Sequence, residues 1–304
     1  AGLTSEEYQK YKNELLLLVD SKDPHVALEK VGEEIKNNNK LLRSCHDLVH
    51  EIGHEAYEKY GSFGEAMKYQ DEICNSGYLH GIIESHFSSS TDIFSTLKKV
   101  CSEYVSGSFI SWECYHGVGH GLMYYTDNDV PRSLELCSLY QDSFASSSCR
   151  NGVFMENFNS DQKVHVSKFL KDDDSFYPCT EQREEDKDDC YFYAPTYYLY
   201  RHQGEYQAAL QWCQHADGPY RLTCISGVGS QSIKENISSP NEVEKLCLSL
   251  ENTEASACIK GMVGLYINHH GSLEPARQLC EILEPSSKQI CQNVITNYSS
   301  LFNK

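Results

Sequence analysis

No stretch of the chain approaches the ~20 consecutive apolar residues that a bilayer-crossing helix needs. The run Leu15 to Val19 is far shorter and belongs to a short amphipathic helix. A membrane span is therefore not expected, and the chain reads as soluble. Positive charge is also scarce: 26 Lys and Arg stand against 44 Asp and Glu, a formal charge of −18. Nucleic acid and anionic lipid surfaces both demand a basic footprint, so neither is expected as a partner. No segment shows the apolar–polar alternation of a half-buried strand. No C-x-x-C spacing occurs, which weighs against cysteine-ligated zinc. The nucleophile elbow Gly-x-Ser-x-Gly is missing too: Gly227-Val228-Gly229-Ser230 lacks the Gly after Ser.

Cysteine, by contrast, is plentiful. Fourteen residues, an even number, point to disulfides and an oxidising compartment, so an extracellular, cell-surface or periplasmic setting is expected. Asn236-Ile237-Ser238 and Asn297-Tyr298-Ser299 are sequons that fit a secreted glycoprotein. The sequence opens at Ala1 without a signal peptide, so an export signal is expected to have been removed or to lie outside it.

Helix signals begin at once. Thr4-Ser5-Glu6-Glu7 is a capping box opening a helix to about Leu18. Asp23-Pro24 supplies an N-cap and a first-turn Pro for a second helix to about Ile35, closed by Asn37 to Asn39. From Cys190 the cysteines are periodic: gaps of 22 or 23 alternate with gaps of 11 through Cys213, Cys224, Cys247, Cys258, Cys280 and Cys291. The repeat of about 34 residues is that of a helix–turn–helix unit. A Gly three residues after Cys74, Cys114, Cys149, Cys224 and Cys258 suits close packing of one helix on its neighbour. Cys190 and Cys291 depart from this, with Tyr193 and Val294 at the Gly position.

The Cys/Gly/Ala pattern over residues 74–300 resembles the Sel1-like, tetratricopeptide-like, cysteine-rich helical repeat proteins. In that family a Cys ending one hairpin is bridged to the Cys opening the next. The resemblance thus implies the pairs Cys101–Cys114, Cys137–Cys149, Cys179–Cys190, Cys213–Cys224, Cys247–Cys258 and Cys280–Cys291; Cys45 and Cys74 are left to pair with each other. The expected fold is all-α: a right-handed α/α solenoid of about eight helical hairpins, stapled by disulfides. Within it, 1–40 is an N-terminal helical hairpin, 41–136 a set of His-rich repeats, and 137–304 the C-terminal disulfide-linked repeats.

The chemistry is concentrated in 41–136. His50-Glu51-Ile52-Gly53-His54 matches H-E-x-x-H and resembles the zincin metalloproteases, where two His one turn apart bind Zn²⁺ and the Glu polarises water. That resemblance makes Glu51 a candidate catalytic base. Yet His116-Gly117-Val118-Gly119-His120 repeats the His pair without the Glu, and Leu79-His80-Gly81 is a half-copy. Aligned on Gly-His, the repeats place His54, His80 and His120 in one column, followed by Met155, Thr196, Ser230 and Gly264. One turn earlier stand His50, Ser76, His116 and Asn151. His46 extends the first stripe by a turn, and Glu84 follows His80 by one. Adjacent helices pack about 8–10 Å apart, so these side chains can converge on one ion. The candidate ligands are His50, His54, His80, His116 and His120, with His46 and Glu84 as further choices. Imidazole suits Zn, Cu or Fe alike.

Several features receive a plainer reading. The acidic runs Lys171 to Asp174 and Glu181 to Asp189 lack the ligand spacing of a calcium loop and are expected to be solvated loops. Tyr191, Tyr193, Tyr197, Tyr198 and Tyr200 are assigned to helix packing. His25, His86, His165, His202 and His215 match no column and are expected at the surface; His269 and His270 should complement a helix C-terminus. The leading functional expectation is an extracellular metal-binding or surface scaffold protein. The alternatives are a zinc-dependent hydrolase using Glu51, and a structural protein that self-associates through its solenoid ends.

Overall fold

A computed structural model describes residues 2–303 apart from 72, 160–166, 173, 175 and 203. The side chains at 39, 75 and 76 also fall outside the description, so the Ser76 position is not assessed, nor are His165 and Asp173. The described residues form sixteen α-helices and no strands. They are α1 (Ser5–Ser21), α2 (Pro24–Glu34), α3 (Asn39–Tyr60), α4 (Phe63–Met67), α5 (Ile73–Ser88), α6 (Ile93–Val100), α7 (Phe109–Tyr125) and α8 (Val130–Cys137). There follow α9 (Ser143–Asn159), α10 (Glu184–Arg201), α11 (Tyr206–Trp212), α12 (Tyr220–Glu235), α13 (Pro240–Leu248), α14 (Asn252–His270), α15 (Leu273–Ile282) and α16 (Pro285–Phe302).

The boundaries follow from local chemistry. The Thr4–Glu7 capping box starts α1, and Asp23 caps α2 at the backbone N–H of Val26. The Asn38 side chain accepts from the backbone N–H of Lys40 and Leu41 to open α3, and Gly61 ends it in the left-handed region. Ser108 caps α7. Both N-terminal helices are a little displaced from the sequence expectation: α1 runs to Ser21, and α2 stops at Glu34.

Long helices pack on the next long helix in order: α3 on α5, α5 on α7, α7 on α9, α9 on α10, α10 on α12, α12 on α14, and α14 on α16. Short helices lie between them. The fourteen cysteines fall into seven pairs with Cα atoms 5.4–5.9 Å apart, the span of a disulfide, and they are the pairs expected. Five of them tie the end of a short helix to the long helix that follows, and Cys179–Cys190 ties the segment before α10 to α10; Cys45–Cys74 instead ties α3 directly to α5. The later helices also return to the earlier ones. α12 touches α3, α14 touches α5, and the Phe302 ring of α16 stacks on Phe109 of α7 at 4.6 Å. In the series of long helices these contacts join first to sixth, second to seventh and third to eighth. Between them lies a cavity of about 580 Å³, reached by His80, Trp112, His116, Tyr193 and Tyr298.

The buried apolar residues form two clusters, and α5 contributes to both. Tyr78 and Ile82 face the N-terminal core with Leu48 and Ile52, whereas Leu79, Ile83 and Phe87 face the core shared with Val118 and Leu122. Two sequence expectations are corrected. Glu184 to Asp189 are the opening turns of α10 rather than a solvated loop, since carboxylates are stabilised at a helix N-terminus. Asp186 in that run is fully buried against Arg150 and Arg183. His86 is half-buried, with its ring 3.1 Å from the Tyr57 hydroxyl and beside Phe63, because α5 turns that edge towards α3 and α4. His25, His202 and His215 are exposed as expected. Of the tyrosines, Tyr191 and Tyr193 are buried, Tyr191 stacking on Tyr220 at 4.8 Å, while Tyr200 is exposed.

Glycine sets the helix separation. A Cβ on Gly81 would lie 2.1 Å from the His50 carbonyl oxygen, and one on Gly152 would lie 1.9 Å from that of His116. Neither distance is sterically available, so the helices meet backbone to backbone at these two places. We expect Gly152→Ala to cost about 1–3 kcal/mol through overpacking. Gly32→Ala, on a helix where a Cβ meets nothing within 4 Å, should stabilise by up to ~1 kcal/mol. Urea midpoints of the two variants check this; equal shifts in the same direction would contradict it.

Candidate metal centre

Three helices deliver the imidazoles. His46, His50 and His54 lie on one face of α3, His80 is on α5, and His116 and His120 are on α7. The glycine contacts bring those faces together. Ring centroids of His80 lie 5.3 Å from His46, 5.4 Å from His50, 5.5 Å from His116 and 4.5 Å from His120. His80, His116 and His120 expose 2%, 3% and 1% of their surface, and His46 is buried as well.

Two triads result. The nitrogens of His46, His50 and His80 lie within 4.8 Å of one another, and so do those of His80, His116 and His120. Each triad contains an i, i+4 pair whose Nε2 atoms face each other: His46 to His50 at 3.1 Å, and His116 to His120 at 3.1 Å. Two ligands at about 2.0–2.1 Å from a tetrahedral Zn²⁺ are themselves ~3.3 Å apart, so both pairs match the bite of a metal ion.

The outer nitrogens fix the orientation. His46 Nδ1 lies 2.7 Å from the Cys74 carbonyl oxygen, which can only accept, so Nδ1 carries the proton and Nε2 presents its lone pair. His50 Nδ1 lies 3.2 Å from Glu84 Oε1, and His120 Nδ1 2.7 Å from Glu156 Oε2. A carboxylate or carbonyl behind the imidazole is the usual support of a metal-ligating His. With Nδ1 protonated on His46 and His50, their facing Nε2 atoms need a cation or a shared proton between them. Met155 adds its thioether, 3.2 Å from His116 Nε2. His80 Nδ1 is buried without a hydrogen-bond partner.

Electrostatics favours neutral rings at three of the five positions, whereas at His50 burial would lower the imidazole but the Glu84 carboxylate outweighs it and raises it. Burial holds His46, His80 and His116 well below the ordinary imidazole range, and neighbouring imidazoles push His46 and His80 further in that direction. For Glu84, burial alone would raise the carboxyl, but His50 and His54 outweigh it and hold it well below the usual range. For His54, burial would lower the imidazole, yet the Glu51 and Glu84 carboxylates raise it to about 9.

The sequence-derived candidates therefore separate. His46, His50, His80, His116 and His120 come together; His46, at first a further choice, is a full member. Of the glycines expected to allow close packing, Gly77 lies against the His46 carbonyl oxygen and Gly152 against that of His116, and the backbones also meet with Gly53 against Gly81 and Gly119 against Gly152. The α3 side chains nevertheless converge one turn earlier than the H-E-x-x-H spacing implies. His54 belongs to neither triad: its Nε2 is 2.6 Å from Glu84 Oε2, where it forms an ion pair rather than offering a lone pair. Glu84 stands behind His50, although with His120 and Glu156 it makes a third set of suitable spacing. Glu51 turns towards α1, paired with Lys12 at 2.7 Å. Column alignment placed Met155 in the His column without marking it as a ligand, and it missed Glu156, which sits one residue off that column.

The His54 pairing generates a pH dependence. Its folded pKa exceeds the unfolded value of 6.5, so the stabilisation is fully present below about pH 6.5 and is lost as pH rises through about 9. In chelator-treated protein the urea midpoint should fall over that interval, and His54→Gln should flatten the fall. A profile unaltered by the substitution would contradict the pairing.

Comparison of the chain with protein-family models, with curated proteins and with solved structures finds no match, so the functional reading rests on this geometry.

Proposed function

We propose that this is an extracellular helical-repeat protein that binds transition-metal ions through the His cluster of α3, α5 and α7. The serial packing of long helices and the seven cysteine pairs support the repeat reading, a right-handed α/α solenoid of about eight hairpins stapled by disulfides. Seven disulfides also fit an oxidising compartment outside the cytosol. The observation that carries the metal reading is the facing of Nε2 atoms in two His pairs, with an acceptor behind His46, His50 and His120.

Four buried imidazoles and the partly buried His50 are a poor structural filling. Each carries polar nitrogens whose burial costs free energy unless they are partnered, and an apolar side chain would pack there without that cost. A metal ion resolves this, because the lone pairs become ligands. Imidazole accepts Zn²⁺, Cu²⁺ or Fe; the Met155 thioether beside His116 favours copper at that end of the cluster. His80 and His116 also border the central cavity, giving an ion there a route to solvent or to a small molecule. We assign the centre a binding role. Glu51, the base a hydrolase would need, is engaged by Lys12 on the α1 side.

Protein purified without added metal should carry zinc or copper by elemental analysis, and a content well below one ion per chain would overturn the proposal. Glu84→Gln and Glu156→Gln should each weaken the ion by roughly 10- to 100-fold, the usual effect of removing a carboxylate behind a ligating His. Competition with a chromophoric chelator reads that change. Glu51→Gln should leave affinity and stoichiometry as they were; a loss of hydrolytic activity at full metal content would instead establish the hydrolase.

A further inference from the structure

We infer that the centre is dinuclear, with His80 shared between two ions. This rests on the metal-binding reading above and goes beyond it in number and connectivity. The five imidazoles do not gather around one point: their nitrogens form two sets, His46, His50 and His80 on one side and His80, His116 and His120 on the other. Each set has its own i, i+4 pair with the same 3.1 Å Nε2 separation. One ion between His46 and His50 and a second between His116 and His120 would each satisfy a facing pair. A single ion satisfies only one and leaves the other pair to hold a shared proton in the interior.

His80 is placed to serve both. It comes from α5, the helix packed between α3 and α7, and its ring lies within 5.5 Å, centroid to centroid, of the rings of all four other members. Its Nδ1 is buried with no hydrogen-bond partner, as is that of His116, whereas His46, His50 and His120 each have an acceptor at Nδ1. A terminal ligand of the usual kind has an acceptor behind it. A ring that ligates through both nitrogens has no N–H left to satisfy, which the unpartnered Nδ1 of His80 allows, and its membership of both nitrogen sets, which His116 lacks, assigns it the shared position. Neutral imidazole carries one ring proton; on binding the second ion that proton passes to solvent, and each nitrogen donates its lone pair to one metal.

The two halves are chemically distinct. The first offers imidazole only, whereas the second adds the Met155 thioether. His46 belongs to the first set alone and His116 to the second alone, so each half can be removed separately.

The test is titration of chelator-treated full-length protein with Cu²⁺, read by elemental analysis after desalting and by electron paramagnetic resonance. The wild type should saturate at two ions per chain, with the isolated Cu²⁺ signal diminished by coupling through the His80 ring. His46→Ala and His116→Ala should each hold one ion and regain the isolated signal, with far-UV circular dichroism confirming the fold. Saturation of the wild type at one ion would overturn the dinuclear centre and leave the metal-binding reading standing. Two ions with full uncoupled signal would overturn the shared His80. No bound ion would overturn both readings. The wild-type measurement decides the number of ions even if a variant does not fold.

Discussion

The site depends on how closely the long helices approach. At Gly81 and Gly152 there is no room for a Cβ, because the carbonyl oxygens of His50 and His116 occupy the space it would need. Backbones that close let side chains from three successive long helices meet without long arms. A Cβ at either position would push the helices apart, and nitrogens now 3.1 Å from their partners would lose register with the neighbouring helix. The cysteine pairs act on the same geometry from outside the cluster. Cys45–Cys74 fastens α3 to α5 beside His46, whose Nδ1 proton is held by the carbonyl of Cys74 itself.

This construction explains why so much polarity is buried in three helices. His46, His80, His116 and His120 are buried, and burial disfavours the charged form of the first three. A neutral imidazole that is desolvated and oriented by a fixed acceptor, as His46 is by the Cys74 carbonyl, would be a prepared ligand with little reorganisation left to do. His54 lies at the edge of the group and behaves differently: its imidazole is raised to about 9 and paired with Glu84 and Glu51, and it belongs to neither triad. An H-E-x-x-H string thus places its second His in a supporting part, and its Glu on the side facing Lys12.

Much of the architecture was legible in the residues. Cysteine spacing carried the period and, through the family resemblance, the pairing; capping signals at Thr4 and Asp23 placed the first two helices within a few residues. The return of α12 onto α3 and of Phe302 onto Phe109 was not legible, because those contacts join residues more than 150 positions apart without a local pattern. The site was read one turn off on α3. Spacing by four says only that His46, His50 and His54 share a face, and which two converge depends on the position of α5. Glu156 escaped because columns compare equivalent positions, and its carboxylate reaches His120 from one residue off the column. The buried Asp186 shows the same limit: an acidic run reads as solvated until Arg150 and Arg183 are seen to meet it.

The central claim is that the facing imidazoles of α3 and α7 are held apart by metal. The most direct measurement is an anomalous difference map from crystals of the protein as purified, collected on both sides of the zinc and copper absorption edges. The account predicts peaks about 2.0–2.1 Å from Nε2 of His46 and His50, and from Nε2 of His116 and His120. A map without anomalous density there, at full occupancy of the surrounding side chains, would contradict it.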